Sequence, residues 1–174
     1  MAKNLGVVWG IIGVVILLGS AVCRLTPLAI SAFSTNFSWF HWLALAGCIL
    51  FMAYSEGYKG FQLQFSPRVI ARALYLRDHP RVVHIVFAPL FCMGYFHATR
   101  RRKTISYSLT AGIIALVMAV RHISQPWRGI IDAGVVIGLI WGIVSLLWIA
   151  MAVVNGHRLE CSPEVPDKSA QPTR

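Results

Sequence analysis

The sequence predicts an all-α, polytopic transmembrane helical bundle, and three observations carry that expectation. Hydrophobic residues make up 57% of the 174-residue chain. Charged residues make up only 13%, against roughly 25% in a soluble domain, too few to cover a water-facing surface. The apolar residues fall in blocks of about 16 to 25, the length that crosses a hydrocarbon core of roughly 30 Å. These blocks are continuous and do not alternate at period two, which argues against a β-barrel.

Five spans are expected, over about 5–23, 37–54, 82–97, 105–120 and 130–154, making residues 1–155 one bundle. The run from Leu5 to Cys23 is long for the apolar core of a signal peptide and reads as an uncleaved first helix. A connector with Pro27 follows, and span two continues past Tyr54 into Ser55, Glu56 and Gly57. Ser66 then suits an N-cap and Pro67 a first helical position. A short basic amphipathic helix is expected over about 67–77. Arg68, Arg72 and Tyr75 share one face, and Val69, Ile70, Ala73, Leu74 and Leu76 share the other. That pattern fits a helix lying in the interface, or one packed on the bundle with its arginines wet.

Span three is short, contains Pro89 and is followed by Arg100-Arg101-Arg102-Lys103. Span four stops at Arg121 and His122, and the turn Ser124–Gly129 leads into span five. The tail 156–174 is polar, contains Pro163, Pro166 and Pro172, and is expected to be disordered. No internal repeat marks an inverted-repeat transporter.

The formal net charge is +10. The basic residues sit between apolar blocks, where they anchor helix ends to anionic head groups; nucleic acid is not an expected partner. Five spans would put Lys3, Lys59, Arg68, Arg72, Arg77, Arg81, Arg121 and Arg128 on one side, eight of the 16 basic residues, so the positive-inside rule is tied. If 82–97 instead dips in and returns, only Arg24, Arg121 and Arg128 remain opposite the other thirteen. Sixteen helical residues reach only about 24 Å, and Pro89 suits a break. Five spans are nonetheless preferred, because a re-entrant segment needs partners for its free backbone groups and this one is too apolar to line water.

Gly134, Gly138 and Gly142 recur at four-residue spacing in span five, and Gly6 and Gly10 do so in span one. Such faces let helix backbones approach where lipid gives no hydrophobic drive for association. They are expected to pack the bundle, or to join copies into a homo-oligomer or a larger membrane complex.

Of the histidines, His84 would lie level with His122, and His97 level with His41, so two bis-histidine levels for heme b are conceivable. Interfacial placement explains the same residues without a cofactor, and none is expected. Cys23, Cys48, Cys92 and Cys161 are too scattered for a disulfide framework or a thiolate metal site. Among the six acidic residues, Glu56 and Asp132 sit at span edges. Glu56 has Lys59 three residues on, and Asp132 has Arg128 four residues back. With Arg121 and His122 they would form one cluster at one membrane level, either a charge-paired cap or a substrate site. No nucleophile–base pair, paired-carboxylate site or phosphate loop is legible, so no catalytic residue is assigned.

These features favour a small accessory or scaffold subunit packing through glycine faces, located in a bacterial inner (plasma) membrane. A small-solute or ion carrier, or a membrane enzyme using the polar cluster, is the alternative. A b-type heme electron carrier is third.

Overall fold

The computed structural model describes residues 2–79, 82–157, 159 and 161–165. Its elements are α1 (Ala2–Ala32), α2 (Trp39–Met52), a π-helical segment (Ala53–Phe65), α3 (Ser66–Asp78), α4 (Val82–Val86), α5 (Ala88–Cys92), α6 (Arg100–Arg121) and α7 (Trp127–Val154). No strand occurs among the described residues. Three helices are long and apolar enough to cross a membrane: Leu5–Ala32, Arg100–Arg121 and Trp127–Val154. Five separate spans are not found, and two segments account for the difference.

The first is the run from Trp39 to Asp78, which is one continuous helix with a π-wound middle. Ser66 keeps right-handed helical angles (φ −61°, ψ −45°), as does Phe65 before it. A separate basic helix capped by Ser66 therefore does not form, since the upstream turns leave no orphan N–H groups for it to satisfy. The Ser66 hydroxyl instead meets the Ser145 hydroxyl at 2.9 Å in the interior. Pro67 lacks an N–H, and its ring crowds the carbonyl four residues back. The wider π-winding just upstream relieves both demands.

The second segment is 82–97. It forms two five-residue helices broken at Phe87 (φ −99°, ψ 29°), with Pro89 in the first turn of α5. The Trp9 indole donates to the Val86 carbonyl at the break (3.3 Å). This block lies along the first half of α1. A Cβ on Gly6 would meet Leu76 at 3.1 Å and Ile85 at 3.4 Å, and one on Gly10 would meet Cys92 Sγ at 2.9 Å. Pro89 sits against Gly13, the deepest of these contacts.

Glycine contacts also set the helix directions. Cys48 stands 2.7 Å from a Cβ placed on Gly134, Glu56 3.4 Å from one on Gly138, and Phe61 2.6 Å from one on Gly142. Numbers rise together, so the long helix and α7 run parallel. α1 runs against both, since its last turns meet Gly129 through Leu28 and Ala32. The Gln125 side chain fixes that junction, donating to Ser31 Oγ (2.9 Å) and accepting from the Gly129 N–H (3.1 Å). α6 runs from the α3 end of the bundle to this opposite end.

The densest core is off-centre. Val14, Val69, Ile70, Ala73, Leu76, Ala88, Phe91, Cys92 and Leu146 pack where α1, α3, α5 and α7 meet. α6 stays outside it: Arg102, Ser106 and Val120, near its two ends, are its buried residues.

Candidate functional site

The structure separates the predicted polar cluster. Asp132 is buried and pairs with Arg128 at 3.7 Å, one helical turn away. Glu56 lies against Gly138, six residues further along α7, or about 9 Å at helical rise. Lys59 turns to the Tyr54 ring, 4.9 Å from its centroid, and not to Glu56. Arg121 and His122 are exposed at the end of α6, and no ion pair joins them to Asp132 among the described residues. Glu56 therefore does not share the level of Asp132: the long helix and α7 start level and run parallel, so Glu56, well past the start of α2, lies against the middle of α7, while Asp132 lies near its start.

The histidine levels are also rearranged. The rings of His84 and His97 lie 4.8 Å apart at one end, and His84 stacks on Phe91 at 4.9 Å. His41 lies at the other end beside Trp127 (5.1 Å) and forms a capping box with Ser38. His97 therefore does not pair with His41, nor His84 with His122. The broken helix is the reason: thirteen residues of unbroken α-helix would separate His84 and His97 by about 20 Å. No metal-binding group of three His, Cys, Asp or Glu occurs among the described residues.

The most developed polar site centres on Arg72, which sequence periodicity had placed on a wet face. Arg72 is 1% exposed. Its Nε donates to the Phe91 carbonyl (2.7 Å), Nη1 to Pro163 (2.8 Å), and Nη2 to Phe96 (3.0 Å) and His97 (3.1 Å). The guanidinium carbon sits 4.4 Å from the centroid of the Phe91 ring. Arginine stays charged in proteins, so this is a buried cation held by four carbonyl dipoles and an aromatic face.

Three of those carbonyls, Phe91, Phe96 and His97, belong to the return of the broken segment, and Pro163 belongs to the tail. Neighbouring ones are met too: Ser106 Oγ donates to Met93 (3.1 Å) and the Tyr107 hydroxyl to Tyr95 (3.2 Å). Gly94 (φ 85°) gives the backbone its left-handed turn, and a Cβ there would stand 3.1 Å from Arg102 Nε. His97 (φ 50°) adopts the same region without being glycine. Such a conformation costs of order 1–3 kcal/mol and persists only where surroundings enforce it; here Arg72 holds the His97 carbonyl.

The tail closes the site. The Thr99 N–H donates to the Glu164 carbonyl (3.1 Å), and Arg102 Nε lies 3.7 Å from Glu164 Oε2. Arg102 is 7% exposed, and its Nε makes no hydrogen bond. Arg68 is near enough to Arg102 for their charges to repel. Burial raises the Cys161 thiol above its ordinary value, while Arg68 and Arg102 pull it down. An open groove of ≈ 430 Å³ runs beside the tail, lined by Tyr75, Asp78, His157 and Cys161 among others. The remainder of the tail, 166–174, lies outside the described residues.

The sequence signal for this site was weak but present. Arg72 lies between apolar neighbours, and Gly94 precedes an arginine run by six residues. Neither names its partner, because the carbonyls that Arg72 engages are 19 to 91 residues away. No family model matches the chain, and neither a curated protein nor a solved structure matches it.

Proposed function

We propose that the chain is a multi-pass integral membrane scaffold of the bacterial inner membrane type, which docks a partner's transmembrane helix on α6. The observation that carries this reading is the exposure of α6 from Ala111 to Ala119. Ala111, Ala115 and Ala119 recur at four-residue spacing beside Gly112, where an added Cβ would meet nothing within 4 Å. Small-residue faces drive helix association in lipid. The glycine repeats of α1 and α7 are occupied by Cys92, Pro89, Cys48, Glu56 and Phe61 of the same chain, whereas the small-residue face of α6 is free for another helix.

The topology that goes with this function has four crossings: α1, the long helix through its π-wound segment, α6 and α7. Segment 82–97 enters and leaves by the α3 end. That arrangement carries the thirteen-to-three basic bias, which makes the α3 end cytoplasmic. A cysteine at Ala115, in a chain whose native cysteines are replaced, tests the docking. Oxidation in native membranes is expected to give one discrete adduct, at twice the chain mass for a second copy or at another mass for a different subunit. Recovery of the monomer alone would overturn the scaffold reading.

A second reading, a proton or small-cation carrier, is favoured by Glu56. Its carboxyl lies within the bundle, in a π-wound segment against Gly138, with no ion-pair partner among the described residues. Ionisable groups at that depth are expensive, and π-segments recur at functional sites. Glu56→Gln should abolish cation-dependent proton release from proteoliposomes if this reading holds; unchanged release would remove it.

A further inference from the structure

We propose that Arg68, Arg72 and Arg102 form a binding site for a phosphate oxyanion at the first turn of α6, and that Glu164 of the tail occupies it as a displaceable surrogate. This goes beyond the scaffold reading and is independent of the α6 docking face; it needs only that the α3 end meet a membrane surface.

Charge is the first argument. Glu164 pairs with Arg102 at 3.7 Å, and Arg68 and Arg72 are near enough to Arg102 to add their charges to it. The Arg72 charge is spread over four carbonyls, which solvate it but do not neutralise it. Among the described residues the local excess is therefore two positive charges, with Arg72 and Arg102 buried beneath a half-exposed Arg68. A dianionic phosphate balances that excess better than one carboxylate does, and a monoanionic phosphodiester matches the carboxylate in charge while offering more acceptor oxygens to the guanidinium forks.

Geometry is the second. Arg102 is buried, its Nε 3.1 Å from a Cβ placed on Gly94, yet among the described residues that Nε makes no hydrogen bond: Glu164 Oε2 stops at 3.7 Å. A buried N–H without an acceptor is a vacancy in hydrogen bonding that a ligand oxygen can fill. The same point faces the N-terminus of α6, where the Thr99 side chain accepts from the Arg102 N–H at 3.4 Å. The helix dipole adds to the attraction for an anion.

The occupant is the third. Glu164 is 41% exposed along its side chain against 7% for Arg102, so the carboxylate sits at the mouth and the arginine at the base. Glu164 itself holds a positive φ of 48°, a strained backbone that release would relax. A phosphate can therefore exchange for the Glu164 carboxylate at the mouth while Pro163 keeps its bond to Arg72. The ligand could be a phospholipid head group or soluble phosphate, since both present the same oxygens.

The test uses the full chain extracted from bilayers of phosphatidylcholine with a minor fraction of phosphatidylglycerol. Retained lipid is counted by mass spectrometry. Site-resolved maleimide labelling of native Cys161 follows the tail. Glu164→Gln should raise phosphatidylglycerol retention several-fold, and Arg102→Gln should lower it to the phosphatidylcholine level. Arg68→Gln, which removes a half-exposed side chain, should lower it with the fold intact. Arg24→Gln, on an exposed arginine of α1, should change nothing. Phosphatidylglycerol should also speed Cys161 labelling. If inorganic phosphate in phosphatidylcholine bilayers speeds it equally, the ligand is soluble phosphate. If Glu164→Gln leaves retention unchanged, or Arg68→Gln and Arg102→Gln both behave like Arg24→Gln, the site does not exist.

Discussion

At the scale of single residues, Arg72 does what its sequence context concealed. An arginine buried with no direct ion pair among the described residues is tolerated because four carbonyls point at it, and because those carbonyls would otherwise be orphaned in an apolar setting. Removing the cation leaves several acceptors unmet, each worth about 1–3 kcal/mol. Arg72→Gln is therefore expected to lower stability in detergent by at least about 3 kcal/mol, read as a large drop in thermal midpoint. Arg72→Lys should rescue little, since a point ammonium cannot serve carbonyls on three sides of a fork. A midpoint within a few degrees of the parent for either variant would show that the carbonyls do not depend on the guanidinium. The buried Asp132 carboxylate pairs with the partly exposed Arg128 at 3.7 Å. Asp132→Asn and Arg128→Gln together should cost less than their sum by about 0.5–3 kcal/mol, the usual coupling of residues in contact. Strict additivity in a double-mutant cycle would mean the two charges are not paired.

At the scale of elements, the glycine faces divide into used and unused. Phe61 fills the space beside Gly142, where an added Cβ would stand 2.6 Å from the ring. Gly142→Leu must push the π-wound segment off α7, at about 1–3 kcal/mol or more for overpacking. Gly112→Leu on α6 meets nothing within the chain. The expected pattern is a loss of monodisperse protein on size exclusion for Gly142→Leu. Gly112→Leu should keep its thermal midpoint but lose the adduct formed through Ala115. Equal behaviour of the two variants would contradict the division. The π-wound segment belongs to the same scale: it ends just before Pro67, and its Glu56 lies against Gly138 of α7.

At the scale of the whole molecule, the arrangement stands or falls on segment 82–97. Reporters inserted after His79 and after Lys103 are expected on the same, cytoplasmic side, with one after Thr35 opposite. A reporter after Lys103 found with Thr35 would restore five crossings and remove the four-crossing topology. The charge argument and the packing argument are independent here. The basic residues count thirteen to three only if the segment returns. The contacts of Gly6, Gly10 and Gly13 put Ile85, Ala88, Cys92 and Pro89 beside one half of α1.

Composition and block length determined by themselves that the chain is all-helical and carries membrane-length apolar helices, because burial in lipid depends on residue type and run length alone. The long first and last helices and the Arg128–Asp132 pair were legible for the same local reason: each depends on residues within a few turns. The return of 82–97 was legible only as an alternative. The objection to it was the expense of free backbone groups in an apolar segment. Tertiary structure answers that objection with donors from elsewhere: Arg72 for Phe91, Phe96 and His97, Ser106 for Met93, and Tyr107 for Tyr95. It also merged the expected basic helix into a longer one and split Glu56 from Asp132. Periodicity assigns a face to a residue but cannot say what packs on that face. A buried arginine and a wet one share the same pattern until the carbonyls that hold it arrive from other parts of the chain.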